Sequence, residues 1–251
     1  MSTSLFSLEG KTAIVTGGSR GIGYAIARAY IDCGARVIIT ARNQDQLNEA
    51  VRQLGANAIA LRCDNAIPEE IAATATAAWK IAPIDILVNN AGVSGFFKRA
   101  EFVTVEEFDF TVDVNMRGMY LWSIEIAKRM TEAQMPGSII SVSSMLGVLP
   151  GERLGVYSAT KAAVHQLMRT MAIEWAERGI RVNAIAPGYV DTDFTAELLS
   201  SRWREKILGP IPMQRTAQPE EIAGAAIYLA SAASSYVTGT VMLVDGGRTI
   251  V

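Results

Sequence analysis

Seven short apolar runs recur along the chain, at Thr12–Val15, Val37–Thr40, Ala58–Leu61, Ile84–Val88, Ser138–Val142, Val182–Ile185 and Val241–Val244. Runs this short, apolar without alternation, suit strands covered on both faces. Between them lie longer stretches with apolar residues at helical spacing: Ile22–Asp32, Gln44–Leu54, Pro68–Lys80, Val105–Thr131, Val156–Glu177 and Glu220–Ala230. Such spacing predicts helices with one buried face. Gly34, Gly55 and Gly179 stand where helix ends favour a residue tolerant of positive φ.

Strand alternating with helix implies parallel pairing through right-handed crossovers. The expected fold is therefore α/β: a single Rossmann-type, doubly wound parallel sheet of about seven strands with helices on both faces. An eight-fold β/α barrel also needs about 250 residues, but it more often holds phosphate near its last two strands. Here the glycine-rich turn follows the first strand. No linker, repeat or low-complexity tract interrupts the pattern, so residues 1–251 read as one domain, with a substrate lid inserted around 190–210.

Composition narrows the function classes. Half of the 251 residues are hydrophobic and 19% are charged, enough for a large core. A net charge of -2 without a basic block argues against nucleic acid as the main partner. The single histidine, His165, and two cysteines, Cys33 and Cys63, supply no ordinary zinc set and no disulfide framework, so no metal is expected. The start lacks a signal-peptide pattern and no apolar stretch reaches the roughly 18–20 residues of a membrane span. A soluble cytoplasmic protein without membrane contact is the expectation.

After the first strand runs Thr16-Gly17-Gly18-Ser19-Arg20-Gly21-Ile22-Gly23, leading into a helix. Glycines let the chain turn tightly and let backbone N–H groups approach a diphosphate, while the helix start adds partial positive charge. The last glycine allows close helix–strand packing. A glycine-rich turn alone is also a common structural feature; its place between a buried strand and a helix favours dinucleotide binding. The end of the second strand bears on cofactor choice. An acidic residue there suits the ribose 2′-hydroxyl of NAD, and a cation suits the 2′-phosphate of NADP. Ala41 stands where the acid would, Arg42 follows, and Arg20 lies in the loop, so NADP(H) is expected. Asp45 falls a few residues into the next helix.

Tyr157 and Lys161 are four apart in a helical stretch and share a face. A nearby ammonium favours phenolate and is expected to lower the tyrosine pKa from about 10. That suits a phenol exchanging protons near neutral pH. Such pairs are also common on solvated helices, and the context decides. Ser144 follows the strand Ser138–Val142 at its carboxyl end, where ligands of open α/β sheets bind. On this basis alone Ser141 and Ser143 compete with it.

The ordered motifs resemble those of the short-chain dehydrogenase/reductase family over essentially the whole chain. They are the loop Thr16–Gly23, Asn89-Asn90-Ala91-Gly92, Asn115, Ser144, Tyr157-Ser158-Ala159-Thr160-Lys161, Pro187-Gly188 and Val244-Asp245-Gly246-Gly247. The resemblance implies a catalytic set of Asn115, Ser144, Tyr157 and Lys161. Tyr157 would be general acid in ketone reduction and base in alcohol oxidation, and Ser144 would position the substrate oxygen. Lys161 would lower the phenol pKa and hold the nicotinamide ribose. Asn115 would kink its helix and, through its main chain, hold a water linking Lys161 to solvent; Asn115 and Gly118 are poor helix formers close together, which fits a local break.

The cofactor set implied is Gly17, Ser19, Arg20, Gly21, Ile22 and Gly23 at the phosphates, and Arg42 with Asp64 and Asn65 toward adenosine. Asn90 and Gly92 come beside the ribose, and Pro187, Gly188, Val190 and Thr192 at the nicotinamide, with Tyr157 and Lys161. Substrate contacts are expected from the stretches Ser94–Phe97, Met145–Leu149 and Glu152–Leu154, from Tyr189 and from the insert Phe194–Ile207, with Ser94, Phe96, Met145, Leu149, Tyr189, Phe194, Leu198 and Trp203 foremost; much of this is apolar, which favours a hydrophobic ketone. A sugar or polyol and a 3-oxoacyl group on a carrier protein are alternatives within the family; for the latter, Ile173 stands where related reductases have arginine before the glutamate, here Glu174. A dinucleotide-binding sensor or scaffold without turnover is the alternative of another class. His165 reads as structural, and Cys33 and Cys63 as small apolar residues. The family's dimers and tetramers use the two long helices, so a homodimer or homotetramer is expected.

Overall fold

The computed structural model describes residues 3–94, 96–193, 195 and 204–251. The seven strands are β1 (Thr12–Thr16), β2 (Arg36–Ala41), β3 (Ala58–Arg62), β4 (Ile86–Asn89), β5 (Gly137–Val142), β6 (Ile180–Pro187) and β7 (Val241–Val244). All pair in parallel in the order β3-β2-β1-β4-β5-β6-β7. The expected doubly wound sheet is what forms, and each apolar run lies within or across one strand.

Side chains alternate across the sheet because successive Cβ atoms point to opposite faces. Ala13, Val15, Val37 and Ile39 pack one way, against α1 (Gly21–Asp32) and α2 (Gln44–Leu54), with α8 (Pro219–Ala230) on the same side. Ile14, Ile38, Leu87 and Ile139 pack the other way, where α3 (Pro68–Ile81), α5 (Gly118–Glu132) and α6 (Gly155–Trp175) lie. Covering on both faces is why the central strands read as unbroken apolar runs. A buried hydrogen bond from Tyr30 Oη to Ala226 O, 3.0 Å, joins α1 to α8. Gly34, Gly55 and Gly179 each take positive φ, as their places at helix ends require.

One element differs from the expected pattern. The stretch Val105–Thr131 is divided into α4 (Val105–Val112), a π-helical segment Asp113–Arg117, and α5. Its cause is tertiary. The loop after β3 crosses so close to Gly118 that a Cβ there would lie 2.4 Å from Asn65 O. Asn65 fills the widened turn: it accepts from Trp122 Nε1 at 2.9 Å and its Nδ2 lies 3.5 Å from Val114 O. A short helix, α7 (Arg204–Leu208), precedes α8.

Candidate active site

The strand order reverses between β2 and β4, on either side of β1. Turns leaving the sheet in opposite directions there open a crevice at the carboxyl ends of the strands. It forms a cleft of about 610 Å³ that runs from Arg42 and Asp64, past the glycine loop, to Tyr157, Lys161 and Pro187.

The glycine loop is held by sterics and by Asn90. Gly17 has φ +64, and a Cβ there would come within 2.9 Å of Ala91 Cα. Asn90 Nδ2 donates to Thr16 O and Gly17 O at 2.9 and 3.0 Å, while Thr16 Oγ1 accepts from the Asn90 and Ala91 amides at 3.0 Å each. The turns after β1 and β4 are thereby clamped together. Ser19, Arg20, Gly21 and Ile22 line the cleft at the start of α1. Arg20, the N-cap, makes no side-chain cap hydrogen bond. The expected member Gly23 stands behind the loop rather than in its wall, where a Cβ would lie 2.3 Å from Gly17 O.

At the end of β2 the cleft is lined by Thr40, Ala41, Arg42, Asn43 and Gln46, and exposed Asp45 is not in its wall. Arg42 is solvent-exposed, and Arg20 is 3.5 Å from Asp193 in an exposed pair. Cys63, Asp64 and Asn65 follow from the end of β3. Asp64 is fixed locally: its Oδ1 accepts from Ala66 N at 2.9 Å and its amide donates to Glu70 Oε2 at 2.8 Å.

At the other end the structure separates the three serines. Ser141 points beneath the helices of the sheet face, 1% exposed, with no hydrogen-bond partner on its Oγ. Ser143, also in the cleft wall, spends its hydroxyl on His165 and Lys161 O. Ser144 opens into the cleft and hydrogen-bonds the Tyr157 phenol. Lys161 Nζ lies 5.6 Å from the Tyr157 ring centroid and donates to Val142 O at 3.0 Å. The expected lowering of the tyrosine pKa is corrected here. Burial pushes the Tyr157 phenol up to about 12, and the Ser144 hydrogen bond opposes that only in part. Burial also brings the Lys161 ammonium down to about 8. Desolvation therefore sets the direction for both groups, and the phenol is neutral at pH 7.

Asn115 is not in the cleft wall. It is buried one layer behind, where its side chain accepts from Val93 N and donates to Val93 O, both at 2.8 Å, and its Nδ2 lies 3.4 Å from Thr160 Oγ1. It thus holds the turn after β4 against α6. Gly92 lies under it, and a Cβ at Gly92 would be 3.4 Å from Asn115 Oδ1 and 3.6 Å from Lys161 Nζ.

Pro187, Gly188, Val190 and Thr192 line the cleft beyond β6, as expected, and Ser94, Met145 and Tyr189 are in its wall. Within the expected stretches the wall is made by other members than those put first. Phe97 faces the cleft instead of Phe96, which is 39% exposed and carries the Lys98 ammonium over its ring at 5.4 Å. Leu146 and Leu154 face it instead of Leu149, because the short turn Met145–Gly147 redirects the chain. Phe194, Leu198 and Trp203 lie outside the described residues. Val93, Val114, Gln46 and Cys63 belong to the wall without any sequence signal for it, since each is brought there by strand order.

Residues 17–249 match the family model described as enoyl-(acyl carrier protein) reductase. The chain is 41% identical over 256 residues to galactitol 2-dehydrogenase (L-tagatose-forming) of Cereibacter sphaeroides, covering 98% of each. It superposes with a TM-score of 0.94 on a structure from Beutenbergia cavernae described as a NAD(P)-dependent gluconate 5-dehydrogenase with bound NADP at low occupancy, at 39% identity over 98% of this chain and all of that one. It is also similar to 3-ketoacyl-(acyl-carrier-protein) reductase from Brucella melitensis complexed with NADH, with a TM-score of 0.91 and 36% identity over 97% of this chain and 100% of that one. With the glycine loop, Asn90, Ser144, Tyr157, Lys161 and Pro187-Gly188 brought together in one cleft, the chain belongs to the short-chain dehydrogenase/reductase family of oxidoreductases.

Proposed function

We propose that this protein is an NADP(H)-dependent oxidoreductase that interconverts a carbonyl and a secondary alcohol, with Tyr157 as general acid and base. The observation that carries the reading is that Ser144, Tyr157 and a buried Lys161 line one end of the same cleft, with Lys161 Nζ 5.6 Å from the phenol ring centroid. The residues fit a nicotinamide dinucleotide: the cleft is long, and its middle is walled by the glycine loop, where Gly17 has φ +64 and is packed too closely on the turn after β4 to carry a side chain. When bound, the dinucleotide supplies or accepts the hydride.

The chain's own residues manage the oxygen and its proton. Ser144 donates to the carbonyl oxygen and fixes its place. Tyr157, protonated at neutral pH, donates its Oη hydrogen to that oxygen as negative charge develops. Lys161 has three N–H donors, one of them used on Val142 O, and the others serve ribose hydroxyls and the phenolate left behind. Asn115 keeps the Val93 turn and α6 in register. Arg42 and Arg20, both in the cleft wall, would hold the 2′-phosphate, a reading supported by the lack of an acidic side chain at Ala41. The amides of Ser19, Gly21 and Ile22, in the cleft wall at the start of α1, would hold the diphosphate.

Phe97, Leu146 and Leu154 give the described part of the substrate wall an apolar character, supporting a hydrophobic ketone. The similarity to galactitol 2-dehydrogenase supports a sugar or polyol as the second reading. Ile173, 80% exposed on α6, leaves that position without a cation for a carrier protein, which disfavours a 3-oxoacyl substrate. Free Cys33 and Cys63 suit a reducing cytoplasm, and no helix among the described residues is long and apolar enough to cross a membrane. Exposed apolar residues on α4 to α6, Phe108, Tyr120 and Ile173, support assembly as a dimer or tetramer, measurable by light scattering.

The test is nicotinamide absorbance against a panel of ketones, dicarbonyls, polyols and sugar acids. Tyr157→Phe is expected to keep dinucleotide affinity and lose about 10²- to 10⁴-fold in kcat. Near-parental turnover by that variant overturns the assignment of the acid. Tight NADPH binding with no turnover on any substrate points instead to a sensor or scaffold.

A further inference from the structure

The histidine set aside in the sequence as structural makes contacts aimed at the reacting groups. His165 is 4% exposed, and burial with the nearby Arg169 and Lys161 charges pushes it down to about 4, so its ring is neutral at pH 7. Its Nε2 is 2.8 Å from Ser143 Oγ, and the same hydroxyl is 3.2 Å from Lys161 O. A serine hydroxyl has one proton and a carbonyl only accepts, so the proton goes to Lys161 O. Ser143 Oγ must then accept from His165, which fixes the ring as its Nε2–H tautomer.

These bonds bind the end of β5 to two successive turns of α6. The Ser143 amide also donates to Ile185 O at 2.7 Å, and Lys161 Nζ holds Val142 O. The chain then turns at once: Ser144 Oγ accepts from Leu146 N at 3.1 Å and Ser144 O from Gly147 N at 2.9 Å. This turn rests on the imidazole. A Cβ at Gly147 would lie 2.5 Å from His165 Cε1 and 2.9 Å from Lys161 O. The height of Ser144 above α6 is therefore set by His165 beneath the turn and by Ser143 beside it.

We propose that Ser143 and His165 form a buried strut, a pair of positioning residues that holds Ser144 at the distance from Tyr157 and Lys161 needed for proton transfer. The proposal rests on the reading of Ser144, Tyr157 and Lys161 as the reacting set. The imidazole stands outside the cleft wall, so the His165 variants touch no residue that faces a dinucleotide, whereas Ser143 belongs to that wall.

Three variants test it: His165→Leu, His165→Gln and Ser143→Ala, with the His165→Leu/Ser143→Ala double. His165→Leu removes the donor and is expected to lower kcat about 10- to 100-fold, the scale of loss for a reacting group displaced by a fraction of an ångström to one ångström. The dinucleotide Kd is expected to stay at the parental value. His165→Gln places an amide N–H at the reach of Nε2 and is expected to recover most of the loss. Ser143→Ala should resemble His165→Leu, and the double should be no slower than either single, since both cut one connection. A purely structural role would lower stability, leave the kcat of the folded fraction intact, and give no rescue by glutamine. Parental kcat in His165→Leu or Ser143→Ala, glutamine as slow as leucine, or losses that add in the double each overturn the proposal. If His165→Leu fails to fold, Ser143→Ala and His165→Gln still decide it. Full activity of Tyr157→Phe would instead fault the reacting set, whatever the strut variants show.

Discussion

Gly23→Ala puts the close packing behind the glycine loop to a quantitative test. Gly23 lies in the first turn of α1, where alanine is otherwise the better residue by about 1 kcal/mol. Space opposes it. The new Cβ would be 2.3 Å from Gly17 O, 2.4 Å from Asn90 Nδ2 and 2.9 Å from Gly17 C. Neither neighbour can swing away: one is backbone, and the other is held by hydrogen bonds of 2.9 and 3.0 Å to Thr16 O and Gly17 O. Relief requires the loop to retreat by about 1 Å, with overpacking of about 1–3 kcal/mol and loss of both Asn90 hydrogen bonds at about 1 kcal/mol each. After the helix gain, the expected net cost is about 2–4 kcal/mol, or roughly 5–15 °C in Tm for a chain of this size.

The same retreat misplaces amides that meet the diphosphate. Losing one charge-assisted hydrogen bond weakens the dinucleotide Kd about 10- to 100-fold. Thermal melting of the protein alone and titration of NADPH fluorescence measure the two effects. Gly224→Ala is the control. It lies within α8, a Cβ there meets nothing within 4 Å, and the expected result is a gain of about 1 kcal/mol with Kd unchanged. A Gly23→Ala protein that matches the parent in both Tm and Kd refutes the steric account of the loop.

Other outcomes follow from the site. Lys161 has a folded pKa of about 8 against 10.5 for the free group, so the unfolded chain binds more protons between those values and stability rises with pH across that window. Lys161→Met should flatten the pH 8–10 stability profile and raise stability at pH 7 by on the order of 3 kcal/mol, less the lost bond to Val142 O, while abolishing turnover; chemical denaturation at several pH values checks it. Above pH 10 the raised Tyr157 pKa acts in the opposite sense, because the unfolded phenol ionises first and stability falls. Ala41→Asp with Arg42→Ala should shift the ratio of kcat/KM values from NADP toward NAD, and an unchanged ratio rejects the reading of that turn. Asn115→Ala removes two hydrogen bonds of 2.8 Å to Val93 and should cost about 2 kcal/mol, with faster amide exchange at Val93.

The chain's linear pattern determined the sheet, because burial on both faces leaves unbroken apolar runs and crossover helices leave a helical period. It also determined the glycine loop and the Tyr157–Lys161 pair, which are contiguous in sequence or one helical turn apart. What required the folded chain was every choice between neighbours. Ser144 differs from Ser141 and Ser143 only in where the strand ends and α6 begins, and Phe97 differs from Phe96 only in the path of an irregular loop. The π-helical turn at Asp113–Arg117 depends on Asn65 and the loop after β3 packing on Gly118, a contact between segments about fifty residues apart. The direction of the Tyr157 pKa was likewise tertiary: spacing places an ammonium one turn away, but the surrounding protein decides how much water the phenol loses, and that loss raises it. Local periodicity fixes which face a residue shares; which other elements meet that face, and how dry the meeting is, is fixed by three-dimensional packing.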